Sequence, residues 1–266
     1  MGIFDGVLIC SDWDGSLSRG NGHPGGAVCP ENREAIRYFQ ENGGLFTVSS
    51  GRYPQFILSF RDQFRPNTAL ITLNGSLIVD PDNGKTLREQ FLDPSVFQYL
   101  DRVLDAFPHR ADFRYYPVGA NDATICSREE YRKEADAVRN TPGYKALLVT
   151  DTAEHGLLLR DVARKIVAGT QFEAARSWPI GLEFINRASD KGNAVRFLKE
   201  RTGAKLLVTV GDYENDIPML QAADIGYAVA NATDDVKAAA DRVTRLSNAE
   251  GAVAEIIDDI EKIRRA

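Results

Sequence analysis

Short apolar runs, separated by stretches with helical spacing, occupy the first and last thirds of the chain. The runs, which we interpret as buried strands, are residues 7–10, 45–48, 69–73, 206–210 and 225–229. Between them, apolar side chains recur every three to four residues, as in helices that pack one face against a sheet. This alternation predicts an α/β fold whose core is a doubly wound parallel, Rossmann-like sheet.

The pattern changes after the turn cluster Pro-Asp-Asn-Gly at residues 81–84. Predicted helices near 94–106, 128–139 and 153–168 are mixed there with predicted strands at 113–116, 123–126, 146–149, 172–178 and 182–185. Paired strands joined by short turns favour an antiparallel or mixed sheet with helices on one face. We therefore predict two domains: a core of residues 1–83 plus 187–266, and an inserted α+β cap domain of residues 84–186.

Acidic side chains follow directly after two of the predicted core strands. Asp12 and Asp14 come after the run at 7–10, and Asp212 comes after the run at 206–210. Because ligands of an open parallel sheet bind beyond the carboxyl ends of its strands, these acids can meet at one edge. Magnesium takes oxygen ligands from a few carboxylates and leaves room for a phosphate. Capping of turn backbone groups remains the alternative interpretation of each acid taken alone.

Other positions carry groups suited to a phosphate or metal site. Ser50 and Gly51 lie between a predicted strand and a helix, where a hydroxyl and free N–H groups can bind an anion. Lys191 lies in the first turn of a predicted helix, where a cation opposes the helix dipole. Asp216 precedes another helix. Helix capping for Ser50 and Asp216, and solvent exposure for Lys191, are the alternatives.

Composition narrows the class of protein. The 266 residues are 43% hydrophobic and 26% charged, which is typical of a globular protein. A net charge of −6 gives no electrostatic basis for nucleic-acid binding. Three cysteines without metal-ligand spacing favour a reducing compartment and disfavour zinc. Neither a membrane span nor a secretory signal is visible, so we expect a cytoplasmic protein without membrane partners.

Four motifs, in this order along the chain, resemble those of the haloacid dehalogenase (HAD) superfamily, in its Cof-type phosphatase branch. They are Asp-Trp-Asp-Gly-Ser at 12–16, Ser-Gly-Arg at 50–52, the lysine of Ser-Asp-Lys-Gly at 189–192, and Gly-Asp-Tyr-Glu-Asn-Asp at 211–216. The family usually has threonine where this chain has Ser16, and often where it has Ser50, and both changes keep the hydroxyl. The connector at residues 19–29 looks longer and richer in glycine than is usual in the family.

The resemblance implies a role for each matched residue. Asp12 would attack phosphorus, and Asp14 would protonate the leaving oxygen and then deprotonate the attacking water. Magnesium would be held by the Asp12 carboxylate, the Asp14 backbone carbonyl and the Asp212 carboxylate. Asn215 and Asp216 would act near the metal, directly or through water.

The phosphate would be held by Ser50, the Gly51 amide and Lys191. This division is physically sensible, because the metal and Lys191 would keep Asp12 ionised and offset its repulsion from an anionic substrate. Arg52 and Asn74 are weaker substrate candidates in the core. Candidates in the cap are Tyr115, Tyr116, Asn121 and Asp122.

The predicted function is a Mg²⁺-dependent phosphatase that hydrolyses a small phosphorylated metabolite, favouring a sugar phosphate, through an aspartyl phosphate on Asp12. Two alternatives stay open. One is a phosphomutase, or a dedicated sugar-phosphate phosphatase, of the same superfamily. The other is a regulatory module that is phosphorylated on Asp12 and turns over poorly. A pure binding protein is disfavoured, because binding needs no acid/base residue beside the nucleophile.

Overall fold

The computed structural model describes residues 2–19 and 28–266, so most of the connector at 19–29 lies outside the described residues. The chain forms two compact units. The first unit combines Met1–Arg88 with Lys191–Ala266, and the second is the inserted segment Glu89–Asp190. Among the described residues, we find no helix with the length and apolarity that a bilayer crossing requires.

The first unit begins with a strand and a helix and then alternates the two. Up to the second unit its elements are β1 (Val7–Ser11), α1 (Pro30–Glu41), β2 (Leu45–Val48), α2 (Pro54–Leu58), α3 (Arg61–Phe64), β3 (Leu70–Thr72), β4 (Leu77–Val79) and β5 (Thr86–Glu89). The second unit contains α4 (Val96–Ala106), β6 (Asp112–Pro117), β7 (Thr124–Cys126), α5 (Arg128–Arg139), β8 (Gly143–Val149), α6 (Ala153–Val167), β9 (Phe172–Trp178) and β10 (Gly181–Asn186). The first unit then resumes with α7 (Lys191–Thr202), β11 (Leu206–Gly211), α8 (Ile217–Ala222), β12 (Ile225–Ala228), α9 (Asp234–Ala239), β13 (Arg242–Val243) and α10 (Ala252–Arg265).

The core sheet of the first unit is parallel and has the strand order β13-β12-β11-β1-β2. Strand β1 is buried at every position, as expected when helices cover both faces of a parallel sheet. Helix α1 packs on α10, and α7 packs on α8. This architecture confirms the predicted α/β fold with a parallel core sheet.

The order of the strands reverses next to β1, and this reversal positions the site. From β1 the chain passes to β2 on one side, and β11 pairs with β1 on the other. Such a switch point leaves a crevice at the carboxyl ends of the two central strands. The register aligns Ser11 with Val210, so the loops that begin at Asp12 and Asp212 leave the sheet side by side.

The second unit is built on an antiparallel sheet with the strand order β7-β6-β8-β10-β9. One hydrophobic core joins this sheet to its helices, and it includes Leu100, Phe113, Leu148, Leu159 and Phe184. The fold of this unit is therefore α+β, as predicted for the inserted segment. Tyr115 belongs to the same core, and its hydroxyl donates to the Thr141 carbonyl. It is part of the packing of this unit and not an accessible substrate contact.

Several element boundaries differ from the sequence prediction. The helix expected over residues 54–64 is two short helices, α2 and α3. The strand expected to reach residue 73 ends at Thr72, because Leu73 and Asn74 adopt positive φ angles of 50° and 58°. Strands β4 and β5 were not predicted, since runs of three or four residues carry little periodicity.

Candidate active site

A buried lysine joins two carboxylates at the carboxyl edge of the core sheet. The Lys191 ammonium donates to Asp12 Oδ1 and to Asp216 Oδ1, each at 2.6 Å. Asp12 follows β1 directly, and its N–H donates to the Val210 carbonyl of β11. Lys191 is the first residue of α7 and is 1% exposed. The structure therefore brings three of the predicted site residues into direct contact.

The position of Lys191 is explained by charge and not by helix preference. A cation at a helix N-terminus opposes the helix dipole, and burial of the ammonium disfavours its charge. Burial acts to lower the pKa of Lys191, but the carboxylates of Asp12 and Asp216 outweigh it and raise that pKa above its ordinary value. The lysine is thus held charged beside Asp12.

Asp212 completes an acidic cluster with Asp12 and Asp216. One carboxylate oxygen from each of the three residues lies within 4.8 Å of the others. The Asp212 and Tyr213 N–H groups both donate to Asp216 Oδ2, at 3.0 and 3.1 Å, which fixes the Asp216 side chain in the loop. Three carboxylates around one lysine leave an excess of negative charge, and an all-oxygen donor set of this kind fits a hard cation such as Mg²⁺.

The same excess of charge appears in the acid–base properties of the cluster. Burial raises the pKa of Asp212 to about 7, and the neighbouring charge of Asp216 adds to this rise. Burial also raises the pKa of Asp12 well above its ordinary value, although the Lys191 charge opposes the rise. A bound cation would relieve this repulsion and favour the ionised forms of both acids.

A glycine allows the first acidic loop to approach Asp212. Gly15 has a φ of 89°, and a side chain there would lie 2.3 Å from Asp212 Oδ2. The next residue, Ser16, is fully buried, and its hydroxyl donates to Asp212 Oδ1 at 2.8 Å. The motif thus places a flexible residue and a hydroxyl where two loops meet.

Asp14 is held differently from Asp12. Its two carboxylate oxygens accept hydrogen bonds from Arg52 Nε at 2.8 Å and from the terminal guanidinium nitrogen at 3.2 Å. Both side chains are about one-third exposed. Asp14 is therefore more accessible than Asp12, and its charge is paired with that of Arg52.

The remaining predicted residues lie in the loops after β2, β3 and β11. The Ser50 hydroxyl accepts from the Arg52 N–H at 3.1 Å, and the Ser50 carbonyl accepts from the Asn74 N–H. Gly51 lies between these residues and is partly exposed. The Asn215 side-chain amide donates to Asn74 Oδ1 at 3.3 Å. All ten predicted core site residues therefore lie in loops or helix starts of the first unit.

Two asparagines late in the chain support the first acidic loop, and no sequence motif pointed to them. The Asn231 amide donates to the Gly15 carbonyl at 2.8 Å, and the Asn248 amide donates to the Ser18 carbonyl at 2.6 Å. The Asn248 N–H in turn donates to Asn231 Oδ1. No local pattern reveals such long-range contacts, since asparagine is common in ordinary turns.

Comparison with known proteins places this chain in a family. A model of the haloacid dehalogenase-like hydrolases matches residues 9–257. A 5-amino-6-(5-phospho-D-ribitylamino)uracil phosphatase of Bacillus subtilis is 26% identical over 252 residues, which cover 94% of this chain and 94% of that protein.

Two solved structures share the fold. A haloacid dehalogenase-like hydrolase of B. subtilis superimposes with a TM-score of 0.76 at 23% identity, over 94% of this chain and 98% of that one. A sugar phosphatase of HAD subclass IIB superimposes with a TM-score of 0.71 at 19% identity, over 95% and 98% of the two chains. At these identities the two structures support the fold alone. The family match and the phosphatase relative together show that the chain belongs to the haloacid dehalogenase-like hydrolases, in their Cof-type branch, and is a phosphoric monoester hydrolase.

Proposed function

We propose that the protein is a Mg²⁺-dependent phosphatase that hydrolyses a small phosphorylated metabolite, a sugar phosphate, through an aspartyl phosphate on Asp12. The observation that carries the proposal is the buried Lys191 ammonium at 2.6 Å from Asp12, within a cluster of three carboxylates. A lysine in this position favours the ionised form of Asp12, together with a bound cation, and attracts a phosphate dianion toward it.

In the first half of the reaction, an Asp12 carboxylate oxygen attacks phosphorus and the bond to the leaving oxygen breaks. That oxygen departs with the electron pair and takes a proton from Asp14. In the second half, water attacks the phosphorus of the acyl phosphate and gives its proton to Asp14. The Asp12 carboxylate is then released together with inorganic phosphate.

The carboxylates of Asp12 and Asp212 and the backbone carbonyl of Asp14 would hold the Mg²⁺ ion, with Asn215 and Asp216 nearby. When bound, the ion supplies positive charge to the phosphate oxygens. Ser50 and the Gly51 amide would hold the same phosphate group beside Lys191. The Ser50 hydroxyl accepts a hydrogen bond from the Arg52 N–H, so its own proton remains available to donate to the phosphate.

The substrate class is supported by the relatives and not by the geometry. One relative is named for a phosphoribityl substrate, and one structural neighbour is named a sugar phosphatase. We propose that the second unit (Glu89–Asp190), which the sequence predicts as residues 84–186, is a cap that selects the leaving group. Tyr116, Asn121 and Asp122 are the remaining cap candidates. Three free cysteines support a location in the reducing cytoplasm.

The experiment that tests the covalent mechanism uses Asp14→Asn with nitrophenyl phosphate. Nitrophenolate leaves without a proton, so Asp12 should still be phosphorylated, whereas hydrolysis of the acyl phosphate should slow about 10²–10⁴-fold. We expect a burst of about one nitrophenolate per enzyme, followed by slow turnover, with phosphate trapped on Asp12. Asp12→Asn is the control and should show no burst. An Asp14→Asn enzyme that binds Mg²⁺ but neither bursts nor traps phosphate contradicts the assigned roles.

A second experiment addresses the substrate. The purified protein is screened against phosphorylated metabolites with and without Mg²⁺, and release of inorganic phosphate is measured. We expect the highest kcat/KM with sugar phosphates. Transfer of the phosphate to a second position of the same sugar would instead identify a mutase, and a stable phosphoprotein without turnover would identify a regulatory module.

A further inference from the structure

Arg52 donates two hydrogen bonds to Asp14, one to each carboxylate oxygen. A guanidinium fork fixes the plane of a carboxylate as well as its position, which a single donor does not do. Asp14 stands two residues after Asp12 on a loop, and rotation about its side-chain bonds would otherwise give its oxygens several positions. Each oxygen keeps a further lone pair for a proton after it has accepted from Arg52.

The arginine is itself held from three directions. Its N–H donates to the Ser50 hydroxyl, and its carbonyl accepts from the Leu73 N–H. Its guanidinium carbon lies 4.8 Å from the centre of the Phe56 ring, a cation–π contact. A flexible side chain with these anchors can transmit a fixed geometry to its partner.

The anchor at Leu73 involves strained backbone. Leu73 and the following Asn74 both have positive φ angles, which are unfavourable for leucine and better tolerated by asparagine. The Leu73 N–H donates to the Arg52 carbonyl, and the Asn74 N–H donates to the Ser50 carbonyl. The strained turn after β3 is thus bonded to the loop that carries Arg52, as expected of a segment that supports a site.

We propose that Arg52 is a positioning residue that orients the Asp14 carboxylate for proton transfer, and not a residue that binds the substrate. The proposal rests on the proposed function, in which Asp14 takes the proton of the water that cleaves the bond between phosphorus and Asp12. Misplacement of a reacting group by about 1 Å can slow a reaction by about 10²-fold. With nitrophenyl phosphate, whose leaving group needs no proton, loss of the fork should therefore slow the proton transfer from water to Asp14 and leave the attack by Asp12 unchanged.

The test follows nitrophenyl phosphate hydrolysis by rapid mixing, with Arg52→Met and Arg52→Lys variants. Methionine keeps an unbranched stem over Phe56 without a charge, and lysine keeps the charge without the fork. We expect a nitrophenolate burst at the wild-type rate constant in both variants. The steady-state kcat should then fall by about 10²-fold in Arg52→Met and by about 10-fold in Arg52→Lys. Arg61→Met, which removes an exposed ion pair with Asp82, is the matched control and should behave as wild type.

Three results would overturn the proposal. A raised KM with an unchanged kcat would make Arg52 a substrate-binding residue. Full activity in Arg52→Lys would show that charge alone matters. An equal fall in the burst and steady-state rate constants would place Arg52 in the first half of the reaction. If Arg52→Met does not fold, as judged by circular dichroism, Arg52→Lys alone decides between these results.

The same measurements distinguish a failure of the positioning role of Arg52 from a failure of the proposed function. If wild-type enzyme is labelled on Asp12 but the Arg52 variants behave as wild type, only the positioning role is wrong. If wild-type enzyme is never labelled and Asp12→Asn stays active, the aspartyl phosphate mechanism fails, whatever the Arg52 variants do.

Discussion

Each of the two units buries one lysine against carboxylate groups, and the two lysines differ in charge balance. In the second unit, Lys145 Nζ lies 3.0 Å from both carboxylate oxygens of Glu183. In the first unit, Lys191 contacts two carboxylates, and a third, Asp212, lies in the same cluster. Both lysines are nearly inaccessible, at 2% and 1% exposure.

The contacts that hold the Lys145–Glu183 pair come from residues of the second unit. The Ser177 hydroxyl donates to Glu183 Oε1 at 2.6 Å, and the Tyr116 ring lies 4.4 Å from Lys145 Nζ. Here one ammonium group pairs with one carboxylate, and the Ser177 hydroxyl and the Tyr116 ring contact the pair. The two charges of this pair balance each other, so the pair itself presents no net charge for a ligand to neutralise.

The Lys191 cluster is not balanced in this way. Asp12, Asp212 and Asp216 share one ammonium group, and burial raises the pKa of Asp12 and Asp212. A folded protein keeps such repulsion where it serves chemistry. An uncompensated charge, more than burial or ion pairing as such, distinguishes the Lys191 cluster from the Lys145 pair.

The largest effect is expected on removal of the cation. Chelation of divalent metal should abolish phosphatase activity, because the acidic cluster then repels an anionic substrate. Asp212→Ala should abolish Mg²⁺ binding, as measured by titration calorimetry, together with activity. Asp82→Asn, which changes an exposed acid of the first unit, is the control and should bind Mg²⁺ as wild type does. Full turnover in chelator would remove the basis for a metal site.

The next effect compares the two lysines directly. Lys191→Met should lower kcat by at least about 10²–10³-fold, since it removes a buried donor beside Asp12, the proposed nucleophile. Lys145→Met should change kcat for nitrophenyl phosphate by only a few-fold at a temperature where the variant is folded. Steady-state kinetics with saturating Mg²⁺ measures both. Equal losses in the two variants would mean that charge balance does not separate function from structure here.

The stability of the two variants should show a different order from their activity. Lys145→Met removes the ammonium group that balances the buried Glu183 carboxylate, at a cost of about 3–5 kcal/mol in the free energy of unfolding. The double variant Lys145→Met/Glu183→Leu should recover most of that loss. Urea denaturation followed by circular dichroism measures both. A double variant no more stable than the single one would show that the pair is not a self-contained structural unit.

Much of the fold was predictable from the sequence because the core strands are long apolar runs. The runs at 7–10 and 206–210 predict β1 and β11, and their pairing follows from the rules of parallel sheets. The hairpin of β4 and β5 was not predictable, because its strands are too short to show a period. The break between α2 and α3 also has no sequence signal, since neither glycine nor proline occurs within 55–65.

The residue types of the candidate site could be predicted from the sequence, whereas the contacts between them could not. Lys191 was recognisable because a cation in the first turn of a helix breaks a local preference. Asp12 and Asp212 were recognisable because both follow apolar strands whose ends can meet at one edge of the sheet. The contact between Arg52 and Asp14 was not, because two residues far apart in the sequence give no sign of their register. The same reason hides Asn231 and Asn248, whose partners lie more than 200 residues away in the chain.

The smallest effect should come from Ser16, the hydroxyl that donates to Asp212 Oδ1 within the unbalanced cluster. Loss of a hydrogen bond to a metal-binding carboxylate typically weakens metal affinity by about 10–100-fold, because the carboxylate is no longer held in one orientation. We expect Ser16→Ala at the lower end, about 10-fold, since the loop around Gly15 still positions Asp212. At saturating Mg²⁺ the variant should regain almost the full kcat. Ser16→Thr keeps the hydroxyl, and it should match the wild-type Mg²⁺ affinity in the same calorimetric titration. If Ser16→Ala binds Mg²⁺ as tightly as the wild type, Asp212 is oriented by its other contacts and the hydroxyl serves only the fold of the loop.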